Sequence, residues 1–223
     1  MNPEIIIQPR IAALCPDMQV AVIRARVTNT PTPPELWQEI LTEAERISSS
    51  YQILEINSRP AIAATRRLYR ALGKDPGRYR VASEALCRRV IRGLGLYRLT
   101  TLIDLINLVS MGSGYPISGL DADRLVGDTL TMGVGEKDEI YHGIGRGLLN
   151  IQGMPVYRDA QGPVATPTSD EERTKITPQT THIQICINAF APEMPLTEAL
   201  DWTLQLLHQY AAPSSIQSRI ITP

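Results

Sequence analysis

From Pro116 to Pro178 a glycine or proline recurs at least once in every eleven residues. Glycine is entropically costly inside helices and strands, and proline removes a backbone donor. Long helices are therefore ruled out here, and the stretch is expected to fold as short strands joined by turns. "DTLTMGV" (128–134), "GLLNIQG" (147–153) and "MPVYRD" (154–159) read as such strands, as does "HIQICINAF" (182–190) just beyond. "DAQGP" (159–163) reads as a hairpin turn. Before Pro116 the pattern is mainly helical. The expectation is an α+β chain, folded as one domain over 1–223, with a helical, basic part first and a sheet-rich part second.

In the first part, "EIIIQPRIA" (4–12) and "MQVAVIRARV" (18–27) read as strands from their β-branched content, the second within a buried sheet. "TPPELWQEILTEAERISSSY" (32–51) reads as a helix. It has proline in its first turn, early acids and an apolar stripe at Leu36, Ile40, Leu41 and Ile47. A second helix is expected over 60–72 with Gly73 as its stop, followed by a turn in "KDPGRYR". "ASEALCRRVIRGL" (82–94) suggests a third, capped by Ser83, with Leu86, Val90 and Leu94 on one side. A fourth spans 99–114 and ends in Gly112 and Gly114. The last, 197–210, takes Thr197 as N-cap, leaving 211–223 as a tail or a short edge strand.

The composition, 43% apolar and 20% charged, is that of an ordinary soluble protein, and no apolar run is long enough to span a membrane. Glu4 and the lack of a basic n-region argue against a secretory leader. Cys15, Cys87 and Cys186 are an odd, sparse set, which points to the reducing cytoplasm rather than a disulfide framework. His142, His182 and His208 lack zinc-ligand spacing. His182 and Cys186 would share a strand face, but two residues do not make a metal site, so neither metal nor cofactor is expected. Charge is uneven. Residues 59–98 hold eleven bases against Asp75 and Glu84, a net +9 in a chain of net −1. Arg66, Arg67, Arg70, Arg78, Arg88, Arg89 and Arg92 are the candidate contacts to an RNA backbone. The competing reading is a pair of solvated helices whose charges pair with acids elsewhere.

Two polar stretches stand out in the second part. "GIGRG" (143–147) lacks dinucleotide spacing and the Walker lysine, so its glycines read as a hairpin, with Arg146 available to grip a carboxylate or phosphate. "TPTSDEERTKIT" (166–177) contains capping boxes in two registers, Ser169 with Glu172 and Thr168 with Glu171. It reads equally as a polar loop on which Thr168, Ser169, Asp170, Glu171 and Arg173 converge. No nucleophile motif is present.

"LTTLIDLINLVSMGSGYPISGLD" (99–121) resembles the B3/B4 domain of bacterial phenylalanyl-tRNA synthetase β subunits, with Asp104, Asn107, Val109, Gly114, Pro116 and Asp121 in register. Residues 66–90 and 145–177 resemble free-standing B3/B4-domain proteins more closely, and the likeness extends over about 55–192. It implies a B3/B4 fold, a mixed β-sheet with helices packed around it. In the synthetase this domain houses the site that hydrolyses mischarged Tyr-tRNA. Asn107 matches the synthetase pattern. Ser118 stands where that pattern has histidine, and Cys186 where it has the glutamate that reads the tyrosine hydroxyl. A thiol is a poor substitute for that carboxylate, which points to another aminoacyl group, a free amino acid or a related metabolite.

The resemblance thus implies an editing-like protein that binds the aminoacyl end of a tRNA, with hydrolysis of the ester as the possible reaction. Asn107 and amides near Gly114 and Pro116 would position the acyl group, beside Ser118 and Cys186. Thr168, Ser169, Asp170 or Arg173 would orient water or ribose. The alternative is a non-catalytic module for an amino acid or other small carboxylate, using Arg146 or Arg173 with Asn150. A scaffold or RNA-binding relic is a third reading. Neither DNA nor a membrane is expected as a partner.

Overall fold

The computed structural model describes residues 3–223. Its helices are α1 (Pro9–Leu14), α2 (Pro34–Ser50), α3 (Pro60–Ala71), α4 (Ala82–Ile91), α5 (Thr101–Ser113) and α6 (Leu196–Tyr210). Its strands are β1 (Glu4–Ile7), β2 (Gln19–Arg26), β3 (Ile117–Asp121), β4 (Thr129–Val134), β5 (His142–Gly143), β6 (Gly147–Leu148), β7 (Pro155–Arg158), β8 (Pro163–Ala165), β9 (His182–Ala189) and β10 (Ser214–Ile221). They form two four-stranded sheets, β10-β2-β9-β3 and β1-β4-β7-β8, and a small β5-β6 hairpin. Among the described residues only β1 and β4 pair in parallel; every other strand pairing is antiparallel.

The central strands of the first sheet, β2 and β9, are buried on both faces over most of their length, which explains why they read as near-continuous apolar runs. Ala21, Ile23 and Ala25 of β2 and Ile183, Ile185 and Ile187 of β9 pack beneath Leu36 and Ile40 of α2, Leu105 and Val109 of α5, and Leu206 and Leu207 of α6. On the other face, Val20, Val22 and Cys186 meet Ile5, Leu130, Met132 and Tyr157 of the second sheet and Leu68 of α3. Strand alternation sends successive side chains into two different cores.

Several boundaries depart from the sequence reading. The first strand stops at Ile7, because Pro9 at the first helical position starts α1 inside the stretch read as strand. In α2 the residues Leu36, Ile40 and Ile47 are buried, whereas Leu41, 100° further round the helix, is exposed. Ser83 does not cap α4. It lies inside that helix with its hydroxyl buried and unbonded, and Leu94 falls beyond the helix end, exposed. Gly112 is within α5, and Gly114 alone takes the left-handed cap conformation, at φ 76°. Thr197 likewise sits inside α6, which begins at Leu196 after Pro195. Of "GLLNIQG" only Gly147–Leu148 is strand, since the Asn150 side chain folds the next residues into a turn by accepting from the Gln152 amide at 2.9 Å. The 211–223 segment carries an eight-residue strand, β10, on the edge beside β2. The turn expected at "DAQGP" is there. Asp159 Oδ1 accepts from the amides of Gln161 and Gly162 at 2.9 and 3.1 Å.

The basic block divides in two. Glu84 is 1% exposed and accepts from Arg66 at 2.8 Å and Arg88 at 2.7 Å, while Arg59 is buried against Glu193 at 2.6 Å. Arg89 lies over the Tyr97 ring at 4.1 Å. Arg67, Arg70, Arg78 and Arg92 remain exposed. Removing one partner of a buried ionic cluster leaves the others desolvated and uncompensated, so Glu84→Ala should cost about 3–5 kcal/mol. Urea unfolding checks this, and a loss below about 1 kcal/mol would show that Arg66 and Arg88 draw nothing from Glu84.

Candidate functional site

A pocket of about 210 Å³ lies between α5, β3, the β5–β6 hairpin and the loop that follows β8. At ~30 Å³ per water it has room for about seven waters, the scale of an amino acid rather than a nucleotide. Its walls are mainly Ile103 and Ile106 of α5, Ile117 of β3, Ile144 and Ile176. Asn107, Thr166, Ser169, Asp170 and Lys175 are the polar residues of the lining. Gly119 is the close-approach residue of β3. A Cβ there would come within 2.5 Å of Ile106 Cδ1 and 3.0 Å of Ile176 Cδ1.

The 166–171 loop is held by its own hydroxyls and by three neighbours. Thr166 Oγ1 accepts from the amides of Thr168 and Ser169, both at 3.2 Å, and donates to the Ser169 carbonyl at 2.9 Å. This is the local hydroxyl-to-backbone bonding that competes with a helix start. Tyr69 of α3 shares a hydrogen bond with the Thr168 hydroxyl at 2.8 Å. The Ala82 amide, at the head of α4, donates to the Pro167 carbonyl at 2.9 Å. Tyr141 donates to the Ser169 carbonyl at 2.6 Å. The capping boxes do not form. Only a single 3-10 turn follows, Glu172–Thr174, capped by Glu171, whose carboxylate accepts from the Arg173 amide.

The loop carries Asp170 over β3, where Oδ2 accepts from the Gly119 amide at 3.0 Å. Burial pushes the Asp170 carboxyl up to about 7, partly offset by the Gly119 N–H and the Ser118 hydroxyl, which favour the charged form. A carboxyl balanced between its two states at neutral pH can accept an ammonium group or take a proton from water.

Of the residues singled out in the sequence, Asn107, Ser169 and Asp170 come together on this pocket. Ser118 lies behind Asp170 and pairs with Cys186 across β3 and β9. Cys186 is buried in the other core, with its thiol pushed up to about 12 by burial. Thr168 faces Tyr69. Arg173 is spent on Asp159, with bonds of 3.0 and 2.9 Å. Arg146 is exposed on the β5–β6 turn, and the Asn150 carbonyl takes the Lys74 ammonium at 2.7 Å. Gly114 caps α5, and the Pro116 carbonyl accepts from Asn188, so neither lines the pocket. The amide expected to serve a ligand near Gly114 instead donates to the Ser110 carbonyl. Sequence reasoning missed Thr166, Lys175 and the isoleucine wall. The spacing of Ile103, Ile106 and Asn107, one face of a helix, was the available signal. Among the described residues no group of three or more His, Cys, Asp and Glu could hold a metal ion.

The family model of the B3/4 domain matches residues 64–203. The chain belongs to the B3/4 domain family. Among solved structures it is similar to an N-terminal fragment of the phenylalanyl-tRNA synthetase β subunit from Pyrococcus horikoshii, at TM-score 0.51 and 11% identity. That match takes in all of this chain and 55% of the fragment, and at such identity the likeness is one of fold. No curated protein matches the chain. The α+β architecture and the B3/4 resemblance read from the sequence thus both stand. No helix among the described residues is long and apolar enough to cross a membrane.

The Asp170 environment has a consequence for stability. The folded chain holds this proton up to about pH 7, whereas an unfolded aspartate releases it near ~3.9. The folded state therefore binds more protons between those values, and the Asp170 contribution to stability falls as pH rises from about 4 to 7. Asp170→Asn should flatten that segment of the profile and make the protein relatively more stable at pH 8. Denaturation midpoints at pH 5 and pH 8 measure it, and parallel profiles for the two proteins would show that Asp170 titrates normally.

Proposed function

We propose that this B3/4 pocket binds an aminoacyl group presented on the end of a tRNA. Asp170 receives the α-ammonium, the isoleucines enclose an apolar side chain, and Asn107 bonds the acyl carbonyl. The observation that carries this reading is a carboxylate anchored on β3 within a small apolar pocket, beside one amide. Support for tRNA as carrier comes from family membership and from the fold of the synthetase fragment. It comes also from the loop itself, which is bonded to α3 and α4, the helices that carry exposed Arg67 and Arg70 and border exposed Arg78 and Arg92. Those arginines would meet phosphates, in a contact that weakens steeply with salt. Arg66 and Arg88 serve the fold through Glu84 and are not part of this surface.

Hydrolysis of the ester is a second reading, favoured by the Asp170 carboxyl lying near neutrality, where it suits a base acting on water. Against it, the amides nearest the pocket are already engaged. Thr168 and Ser169 donate to Thr166, Gly119 donates to Asp170, and Ile144 donates to the Asp170 carbonyl. Only Asn107 and Lys175 remain to stabilise an oxyanion, and Lys175 already pairs with Glu172 at 2.5 Å.

Binding of aminoacyl-tRNA should tighten as pH rises from about 5 to 7, where Asp170 ionises while the α-ammonium is still charged, and Asp170→Asn should remove that dependence. Arg67→Glu with Arg70→Glu should weaken binding of charged and uncharged tRNA alike, more at low salt than at high. Filter binding with a panel of aminoacyl-tRNAs measures both effects. Equal affinity for charged and uncharged tRNA would remove the pocket from the model, and no tRNA binding at low salt would remove the carrier. A time course of deacylation on the same panel decides the second reading, which requires release of amino acid that Asp170→Asn abolishes.

A further inference from the structure

A second cavity, of about 180 Å³, opens on the β10-β2-β9 sheet, on the face turned away from α2, α5 and α6. Two rows of cross-strand neighbours build it. Gln217, Arg24 and Gln184 stand abreast on β10, β2 and β9, and Arg219 and Val22 stand abreast two residues along. Side chains two apart on a strand share a face, so both guanidinium groups and both carboxamides belong to one side of the sheet. Among the described residues no carboxylate lines the cavity. Arg219 donates to the Pro3 carbonyl at 3.1 Å. Burial lowers the pKa of Arg24, partly offset by Asp123, a carboxylate outside the cavity wall that is bonded to His182 at 2.7 Å.

Gln184 supplies a separate observation. It is 1% exposed, and among the described residues its side-chain NH2 reaches only the Cys186 thiol, at 3.8 Å. Sulfur is a weak acceptor, and a buried amide without a good partner is costly, so such groups in native proteins call for an explanation. A ligand oxygen in the cavity would provide that partner.

We infer that this cavity binds a small oxyanion, a phosphate or carboxylate group, held by Arg24 and Arg219 and read by Gln184 and Gln217. Guanidinium groups bind such anions with paired, charge-assisted hydrogen bonds, and carboxamides add directional donors without adding charge. The site is separate from the isoleucine-walled pocket and shares no lining residue with it.

Isothermal titration of the full chain with inorganic phosphate, sulfate and succinate, at low ionic strength in chloride buffer, tests the inference. One saturable site is expected. A preference for phosphate and sulfate would assign a phosphorylated ligand, and a preference for succinate a carboxylate metabolite. Arg219→Met should weaken binding at least tenfold, the loss of about one charge-assisted contact. Gln184→Leu should weaken it too while leaving the melting temperature unchanged or higher, since it removes an ill-paired buried amide. Gln217→Ala, on the exposed edge strand, serves as the variant least able to disturb folding and should also weaken binding. Arg67→Glu with Arg70→Glu should leave it unchanged. No saturable binding at millimolar anion, or identical affinity in wild type, Arg219→Met and Gln217→Ala, would overturn the site.

Discussion

The antiparallel pairing of β2 with β9, eight residues in continuous register from Gln19–Ala189 to Arg26–His182, is the constraint on which the structure depends. Both strands bury apolar side chains on both faces, so each must be covered twice. Helices α2, α5 and α6 cover one face, and the β1-β4-β7-β8 sheet with α1 and α3 covers the other. The isoleucine-walled pocket exists because β3, hydrogen-bonded to β9, carries Gly119 where a side chain would meet Ile106 and Ile176. The space left beside that glycine is closed by the 166–170 loop.

Charge in this protein is sorted by burial. One buried glutamate, Glu84, gathers Arg66 and Arg88, and Glu193 takes Arg59. The Glu84 pairs tie α3 to α4, Arg59 also donates to the Met111 and Gly112 carbonyls of α5, and together they remove part of the positive block from any surface role. What remains outward is a smaller group of arginines on or beside the helices to which the pocket loop is bonded. The fold couples the two through backbone and hydroxyl hydrogen bonds, Ala82 to Pro167 and Tyr69 to Thr168, rather than through ion pairs. Salt should therefore alter an interaction with phosphates without loosening the pocket.

Much of the fold was legible where local chemistry decides the outcome. Pro34 and Pro60 open α2 and α3, Gly73 and Gly114 close α3 and α5 with positive φ, and Asp159 folds its own hairpin turn. The errors arose where a neighbour in space overrode a local signal. Ser83 and Thr197 are good caps by type but each is the second residue of its helix. Ser169 and Glu172 form a capping box on paper, yet Thr166 takes the Ser169 amide that the box needs. Edge strand β10 has no periodicity of its own, because an edge strand draws its order from the partner it pairs with.

The amino-acid sequence by itself determined the α+β class and the B3/4 membership, and it offered Asn107, Ser169 and Asp170 only within a larger set of candidates. Propensity, turn chemistry and a run of matching residues are all carried along the chain. Tertiary structure alone decided which polar groups face a cavity and which are spent on the fold. Arg173 on Asp159, Arg88 on Glu84 and Thr168 on Tyr69 look no different in sequence from Asp170. Arg24, Gln184 and Arg219, far apart along the chain, meet only because β10 and β9 flank β2. Hydrogen bonding and desolvation act over a few ångströms of space, and sequence distance carries no information about them.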